Sequence, residues 1–299
     1  MDLALGYLKF LDLSNSLELT RVPDLPTVPN LEVLNLNECH NLIEIPSRIG
    51  QLKCLKKVFL NHCEKVQSLP QSICNLKSLT NLDISYCLNV NELPENIGDL
   101  ESLETLDISG SGIKTLPSSI NQLPNLGELT CGVCEGLTLP PLTGFSRVVK
   151  LCIFGDEVPQ RMRYKNQNGS SLSFKLDQPN LIGFSFCAVC DPKKFSGDDM
   201  GDINCEAQFI DKSGHSSEKF CFEWVTVKDV NLLCSEHVFL WNDWFGMVDG
   251  PAEVSFQFFI NRGFFEPQYH EDRDYEAIIK CGVHPVFEED EDDESYLKD

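Results

Sequence analysis

Residues 79–102 read LTNLDISYCLNVNELPENIGDLES, and residues 103–125 follow the same pattern as LETLDISGSGIKTLPSSINQLPN. Comparison of the chain with itself extends this repeat in both directions. Six similar segments are separated by 23, 24, 24, 24 and 23 residues, and they open at Leu8, Leu31, Leu55, Leu79, Leu103 and Leu126. A period this regular predicts a stacked array in which each copy buries its apolar face against the next.

Within each segment three apolar positions follow the spacing L-x-x-L-x-L, as in Leu79, Leu82 and Ile84. The last two alternate at period two, which predicts a short strand with one face inward. This spacing is typical of leucine-rich repeats. A proline then ends the strand, and a pair such as Ile97 and Leu100 predicts a turn of helix on the convex side. We therefore predict an α/β leucine-rich-repeat solenoid of about six repeats over residues 1–145.

A small residue follows the last strand position by three residues in every repeat, at Ser16, Cys39, Cys63, Cys87, Ser111 and Cys134. We expect these side chains to satisfy buried backbone groups at the turn. The repeats begin near residue 8 without a polar cap, so the first repeat is expected to be exposed. We interpret Met1 as lying within a longer array.

Beyond residue 141 the period fails, which places a domain boundary near residue 145. Short alternating apolar runs separated by polar, Gly and Pro breaks then favour an antiparallel β-sandwich over residues 146–287. The predicted strands are 148–153, 171–176, 181–189, 205–210, 220–225, 237–241, 252–260 and 277–283.

The formal net charge of the chain is −22, and residues 288–299 carry eight acidic side chains with one lysine. This last segment is predicted to be a solvated, disordered tail. An acidic surface repels phosphate groups, so we expect neither nucleic acid nor membrane as a partner and favour a protein ligand with basic patches. No apolar run could span a membrane and no export signal opens the chain, so we expect a cytoplasmic or nuclear location.

Five short motifs occur in the second domain: FGDEVP at 154–159, GSSL at 169–172, IGFSFCAV at 182–189, SEHVFL at 235–240 and KCGV at 280–283. Together with the repeats, they make residues 1–287 resemble the C-terminal part of plant TIR-NBS-LRR disease-resistance receptors. The resemblance implies a jelly-roll/Ig-like domain (C-JID) after the repeats, and a sensing function without signalling domains. Residues 160–163 read QRMR where the family carries aromatic residues, which leaves the contacts of those aromatics in doubt.

No residues point to catalysis or to a cofactor. The pairs Cys131/Cys134 and Cys187/Cys190 lack the mutual spacing of a zinc site, and the six histidines stand in no motif with a nucleophile or a metal ligand. No phosphate-binding loop of the form G-x-x-x-x-G-K-[ST] is found. We therefore expect a binding protein with no enzyme activity, cofactor or metal.

The outward strand positions are the best candidates for binding, because they line the concave face and are not required by the leucine core. Aromatic and charged side chains are mixed there, as in protein interfaces. The predicted protein-binding residues are Phe10, Asp12, Asn35, Asn37, Lys56, Lys57, Phe59, Asp83, Tyr86, Glu104 and Asp107, with Phe59 and Tyr86 expected to be exposed.

Three functions stay open from the sequence. The first is recognition of a pathogen effector or a guarded host protein by the concave face and the sandwich loops. The second is carbohydrate binding, with sugars stacked on Trp224, Trp241 and Trp244. The third is a regulatory or decoy protein that pairs with full-length immune receptors.

Overall fold

The computed structural model describes residues 6–22, 28–132, 134, 136–138, 150–160, 162–176, 180–194, 202–211, 213–216, 219–224, 236–248, 253–261 and 273–287. The chain divides into two compact units, Met1–Val149 and Lys150–Asp299. The residues around the boundary predicted near 145 and the acidic segment 288–299 lie outside the described residues.

In the first unit, six short strands form a parallel sheet in chain order. The middle residue of each strand faces inward, so Leu34, Val58, Leu82 and Leu106 stand side by side and are at most 1% exposed. The leucine-rich-repeat prediction is therefore confirmed. The strands are β1 (Phe10–Asp12), β2 (Val33–Asn35), β3 (Lys57–Phe59), β4 (Asn81–Asp83), β5 (Thr105–Asp107) and β6 (Glu128–Cys131).

The predicted helical turns are present, but they are 3-10 turns. In the described part of the repeats no α-helix occurs, so the α element of the predicted fold class is wrong. Only about five residues separate the proline from the next inward leucine. Because nucleation of an α-helix is unfavourable, a segment this short forms a single 3-10 turn more readily. The turns are Ser47–Gln51, Gln71–Asn75, Ile97–Asp99 and Ser118–Gln122.

Four cysteines of the ladder each link their repeat to the one before it. The thiols of Cys39 and Cys63 donate to the carbonyl oxygens of Leu13 and Leu36, both at 3.1 Å. Cys87 and Cys134 make the equivalent bonds at 3.2 Å. Burial raises the pKa of the Cys63 thiol to about 12, so it stays protonated and remains a donor. The prediction that these side chains satisfy buried backbone groups is confirmed for the four cysteines.

The first repeat is less buried than those that follow. Leu8 and Leu11 are half-buried, whereas Leu31 and Leu34 at the same positions of the second repeat are fully buried. The inward side chains of the first repeat have a described neighbouring repeat on one side only, which explains the difference. The expected exposure of the first repeat is confirmed.

The second unit contains two antiparallel sheets. One has the order β7–β13–β10–β16–β8, and in the other β12–β11–β14 continues with β9 and β15, which pair with different parts of β14. All eight predicted strands are found, whereas the short polar strands β8 and β15 were not predicted. The strands are β7 (Lys150–Phe154), β8 (Tyr164–Asn166), β9 (Ser171–Lys175), β10 (Leu181–Cys190), β11 (Asp202–Ile210), β12 (Phe220–Trp224), β13 (His237–Val248), β14 (Glu253–Asn261), β15 (Arg273–Asp274) and β16 (Ile278–Phe287).

Aromatic rings from both sheets of this unit meet in its core. The ring of Phe186 in β10 lies 4.9 Å from that of Phe222 in β12 and 6.0 Å from that of Phe256 in β14. Trp241 stacks on Phe186 at 5.2 Å and is only 1% exposed. Of the two alternatives for Trp241, stacking on a sugar or packing in the core, the structure shows packing in the core. The side chains of Trp224 and Trp244 lie outside the described residues.

Two of the sequence motifs pack on one another in this unit. Lys280 of β16 pairs with the carboxylate of Glu157 at 2.8 Å. A Cβ atom at Gly282 would lie 2.7 Å from Val158 Cγ1 and 3.1 Å from Met162 Cβ, so glycine is required for this close approach. Met162 is only 2% exposed and supplies an apolar contact within the segment 160–163.

Candidate functional site: the strand surface of the repeats

The outward side chains of the parallel sheet form a surface that we call the strand surface. It consists of the outward residues of β1–β6 and the residues directly flanking each strand. Because neighbouring strands pair in parallel and in register, equivalent positions stand in rows. One row contains Phe10, Val33, Lys57, Asn81, Thr105 and Glu128, and the next contains Asp12, Asn35, Phe59, Asp83, Asp107 and Thr130.

The eleven predicted binding residues all lie on this surface or in the turns that follow it. Exposure divides them into two groups. Phe10, Asp12, Lys56, Lys57 and Glu104 are exposed, whereas Asn35, Asn37, Phe59, Asp83, Tyr86 and Asp107 are half-buried. The expected exposure of Phe59 and Tyr86 is therefore wrong.

Four of the polar side chains also hold the fold together. Each accepts a hydrogen bond from the backbone N–H two residues further on, at 2.9 Å for Asp12, Asp83 and Asp107 and at 3.1 Å for Asn35. This is the bond by which Asp and Asn stabilise a turn. The prediction that the outward positions are independent of the fold is thus wrong for these four residues.

The basic part of the strand surface is organised around Glu32. Its carboxylate accepts a hydrogen bond from Lys56 at 2.8 Å and forms an ion pair with Lys9 at 2.7 Å. Hydrogen bonds from these two lysines lower the pKa of Glu32 to about 2. Lys57 lies next to this group and is exposed. The group presents two long cationic side chains in fixed positions, although exposed ion pairs of this kind contribute little to stability.

The acidic part lies further along the sheet. Asp83 and Asp107 are paired residues of β4 and β5, and Glu128 follows in β6. Burial, together with the charges of Asp83 and Glu128, raises the pKa of Asp107 to about 6, although hydrogen bonds from Ser109 act in the opposite direction. The strand surface therefore changes from a basic to an acidic character along the array.

The raised pKa of Asp107 leads to a testable dependence of stability on pH. Between 3.8, its ordinary pKa, and about 6, the folded chain binds more protons than the unfolded chain, so stability falls as the pH rises through this window. Asp107→Asn removes the charge and keeps an oxygen for the Ser109 N–H. We expect a higher melting temperature than wild type at about pH 8 and an equal one at about pH 3.5, measured by circular dichroism.

Asp12→Asn serves as the matched control, because hydrogen bonds from Ser14 lower the pKa of Asp12. Its ionised form favours folding, so the substitution should not raise the melting temperature at about pH 8. A higher melting temperature than wild type at about pH 8 in both variants would contradict the assignment of the pH dependence to Asp107.

A row of rings beside the strand surface was not predicted. The ring of His62 stacks on that of Tyr86 at 4.6 Å with an angle of 7°, and the ring of His40 lies 6.4 Å from His62. We call these three residues the His–Tyr strip. Tyr86 lies in the turn after β4 and not on a strand, which corrects its predicted place. The histidines were not among the predicted binding residues, because they form no catalytic motif.

Two members of the strip, His62 and Tyr86, occupy a special backbone position. The residue before each ladder Ser or Cys has a positive φ of 57–62°, in five repeats at Asn15, Glu38, His62, Tyr86 and Gly110. Gly adopts this conformation readily, and Asn and His adopt it more often than most other residues, whereas a bulky residue such as Tyr does so rarely. The glycine leaves room for the tyrosine ring, because a Cβ at Gly110 would lie 2.6 Å from Tyr86 Cδ1. Two bulky residues at this repeat position were the signal that could have revealed the strip.

Two further properties of the described ranges bear on function. No group of three or more His, Cys, Asp or Glu side chains stands close enough there to hold a metal ion. None of the helices in those ranges is long and apolar enough to cross a membrane.

A family model described as a leucine-rich repeat region matches residues 82–151. The chain carries leucine-rich repeats. Repeats of this kind are generally protein-interaction modules without enzyme activity, and the rows of outward side chains described above have the layout of such a module.

Short segments of the chain are similar to plant resistance proteins of Arabidopsis thaliana. Disease resistance protein RPP5 is 46% identical over 55 residues, which is 18% of this chain, and Disease resistance protein RPP4 is 51% identical over 49 residues, or 16%. The protein SUPPRESSOR OF npr1-1, CONSTITUTIVE 1 is 46% identical over 55 residues, or 18% of this chain. The matched segment spans 4% of each of these relatives.

Solved leucine-rich-repeat structures are also similar to part of the chain. A leucine-rich-repeat protein of Leptospira interrogans is 30% identical with a TM-score of 0.31, covering 42% of this chain and 39% of its own. The repeat domain of the type III effector XopL is 27% identical with a TM-score of 0.40, covering 44% and 48%. The plant peptide hormone receptor RGFR1 in complex with RGF2 is 22% identical with a TM-score of 0.28, covering 49% and 32%.

Proposed function

We propose that this chain is the recognition module of a plant immune protein, and that it binds a pathogen effector or a guarded host protein through the strand surface. The observation that carries the proposal is the exposed Lys56 and Lys57 beside the half-buried Phe59 and the His–Tyr strip. Aromatic anchors partly held in place lose little entropy on binding, and flanking charges steer the partner. The module recognises its partner by complementarity and performs no chemistry.

The proposed family assignment is the C-terminal part of a TIR-NBS-LRR receptor. The second unit is then the jelly-roll/Ig-like sandwich that follows the repeats in that family, and its loops contribute to binding. The contacts of Glu157 with Lys280, and of Val158 with Gly282, support this assignment because they join two of the family's motifs. The proposed location of the chain is the cytoplasm or the nucleus, where an effector would be met.

Binding can be tested with variants of the strand surface. The full chain is screened against purified pathogen effectors and plant proteins, and the affinity for each binder is measured by surface plasmon resonance. We expect the double variant Phe59→Ala with Tyr86→Ala to bind about tenfold or more weakly, as interface anchors commonly do. Lys57→Glu, which changes an exposed side chain and leaves the core untouched, should weaken binding as well.

The matched control is Asn96→Ala with Gln122→Ala, since both side chains are exposed in or beside the 3-10 turns away from the strand surface. It should bind like wild type, and circular dichroism should show that all variants are folded. If the control weakens binding and the strand-surface variants do not, the partner uses another face of the repeats.

A further inference from the structure

A second candidate site lies on the outward face of the β9–β14–β11 sheet. A groove of about 540 Å³ opens there between the three strands. This volume lies in the range of small-molecule sites, which is about 300–1,000 Å³. The groove belongs entirely to the second unit and shares no residue with the strand surface.

The register of the strands places polar side chains in two rows across the groove. Ser171, Gln257 and Glu206 form one row, and Ser173, Ser255 and Gln208 form the other. Each row crosses two strand spacings, which is about 10 Å and long enough for two linked sugar rings. Serine is short beside glutamine and glutamate, so the β9 end of the rows is recessed.

The charges within the groove compensate each other. Glu206 pairs with Lys219 at 2.9 Å and with Arg273 at 2.6 Å, and its side chain is only 13% exposed. Glu206 and Lys219 are the charged residues among those that line the groove. Their opposite charges neutralise each other, and the second partner of Glu206, the Arg273 guanidinium, lies over the Phe259 ring and outside the lining of the groove. The lining therefore offers little net attraction to an ionic ligand.

The remaining polar groups can both donate and accept hydrogen bonds. The amide nitrogen of Gln257 donates to the hydroxyl and the carbonyl oxygen of Ser170, at 3.0 and 3.3 Å, which fixes the amide orientation and leaves its oxygen as an acceptor. The serine hydroxyls can act in either role. Such a set suits a ligand that carries many hydroxyl groups of its own.

An aromatic ring stands at the rim of the groove. Tyr275 is 40% exposed, and its ring lies 5.7 Å from that of Phe259, over which the Arg273 guanidinium lies at 4.6 Å. The tilted contact with Phe259, at an angle of 53°, supports the tyrosine ring. A fixed, half-exposed aromatic ring offers an apolar face to the C–H side of a sugar and a hydroxyl to its polar edge.

We propose that this groove binds a neutral saccharide, with Gln257 as the hydrogen-bonding residue and Tyr275 as the stacking residue. The site is independent of the proposed protein recognition, since the two surfaces belong to different units. The aromatic and amide groups act together here, in place of the tryptophans that the sequence suggested.

The test uses the full chain and saturation-transfer-difference NMR with neutral monosaccharides (glucose, galactose, mannose and xylose) and the tetramers cellotetraose and xylotetraose. We expect transfer to at least one of these sugars from the wild type. Gln257→Ala and Tyr275→Ala should each weaken the affinity for that sugar about tenfold, which corresponds to one or two hydrogen bonds or one stacking contact. Gln257→Ala, which lies within β14 and outside the loops proposed to contribute to protein recognition, should leave the affinity of any strand-surface partner unchanged.

Two controls keep the outcome decisive. Tyr7→Ala and Gln122→Ala remove the same two side-chain types at exposed positions of the repeat unit and should retain wild-type transfer. Inorganic phosphate, followed by chemical-shift changes, probes for an anion site. The proposal would be overturned if no saturation were transferred to any of the six sugars, or if the groove variants showed the same transfer as the wild type. Binding of phosphate instead of sugar would also overturn it.

Discussion

The variant Gly98→Ala is expected to destabilise the repeat unit by about 3 kcal/mol, the upper end of what overpacking usually causes. Gly98 lies in the 3-10 turn Ile97–Asp99, against the turn of the next repeat. A Cβ at this position would clash with the backbone oxygen of Ser119 and lie 2.9 Å from Gln122 Cβ. A backbone oxygen cannot rotate away as a side chain can, so the two repeats must separate.

Thermal unfolding followed by circular dichroism should show the transition of the repeat unit lowered by roughly 6–12 °C. Gly50→Ala should act in the same way, because its Cβ would meet the backbone of Ser72. Gly6→Ala is the control, since nothing lies within 4 Å of its Cβ position. Equal melting temperatures for Gly98→Ala and Gly6→Ala would mean that neighbouring turns are not packed as tightly as described.

The variant Phe186→Ala should have the largest effect in the second unit, about 3–5 kcal/mol. Phe186 is fully buried, and its ring contacts those of Phe222, Phe256, Phe258 and Trp241. Truncation removes the ring that joins the two sheets and leaves a cavity that its rigid aromatic neighbours cannot fill. Tryptophan fluorescence during urea unfolding should report the loss, because Trp241 stacks on the missing ring.

Phe220→Ala is the matched control for this prediction. Phe220 is 47% exposed and its ring contacts that of Phe209 at 5.5 Å, so its loss should cost less than about 1.5 kcal/mol. The loss of stability for Phe186→Leu should fall between those for Phe186→Ala and Phe220→Ala, because leucine keeps most of the apolar volume. A similar loss for Phe186→Ala and Phe220→Ala would show that the aromatic layer does not join the sheets.

The repeat unit was predictable because its determinants are local and recur. An inward leucine every 23 or 24 residues leaves one way to bury all copies, which is to stack them. The type of the convex turns was not predictable from Ile97 and Leu100 alone, since a spacing of three suits both a 3-10 turn and an α-helix. In the second unit, strand positions were predictable from alternation, but the pairing of β9 and β15 with β14 joins residues far apart in sequence.

The strand surface was predictable only in part. Period two identifies which residues face outward, and all eleven predicted residues lie on or beside the strands. It does not reveal bonding partners, so the backbone hydrogen bonds of Asp83 and Asp107 and the stack of His62 on Tyr86 were missed. The hydrogen bonds join residues two apart within one turn, and the stack joins residues of adjacent repeats. Periodicity carries no information about side-chain partners in either case.

The sequence by itself determined the repeat, its stacking, its cysteine ladder and eight strands of the second unit, because each depends on residue types at fixed short spacings. Only the tertiary structure decided which polar side chains hold turns, where the His–Tyr strip runs, that Trp241 is buried, and that Gln257 and Glu206 share a groove. These properties depend on which segments come together, and that is set by the packing of distant residues.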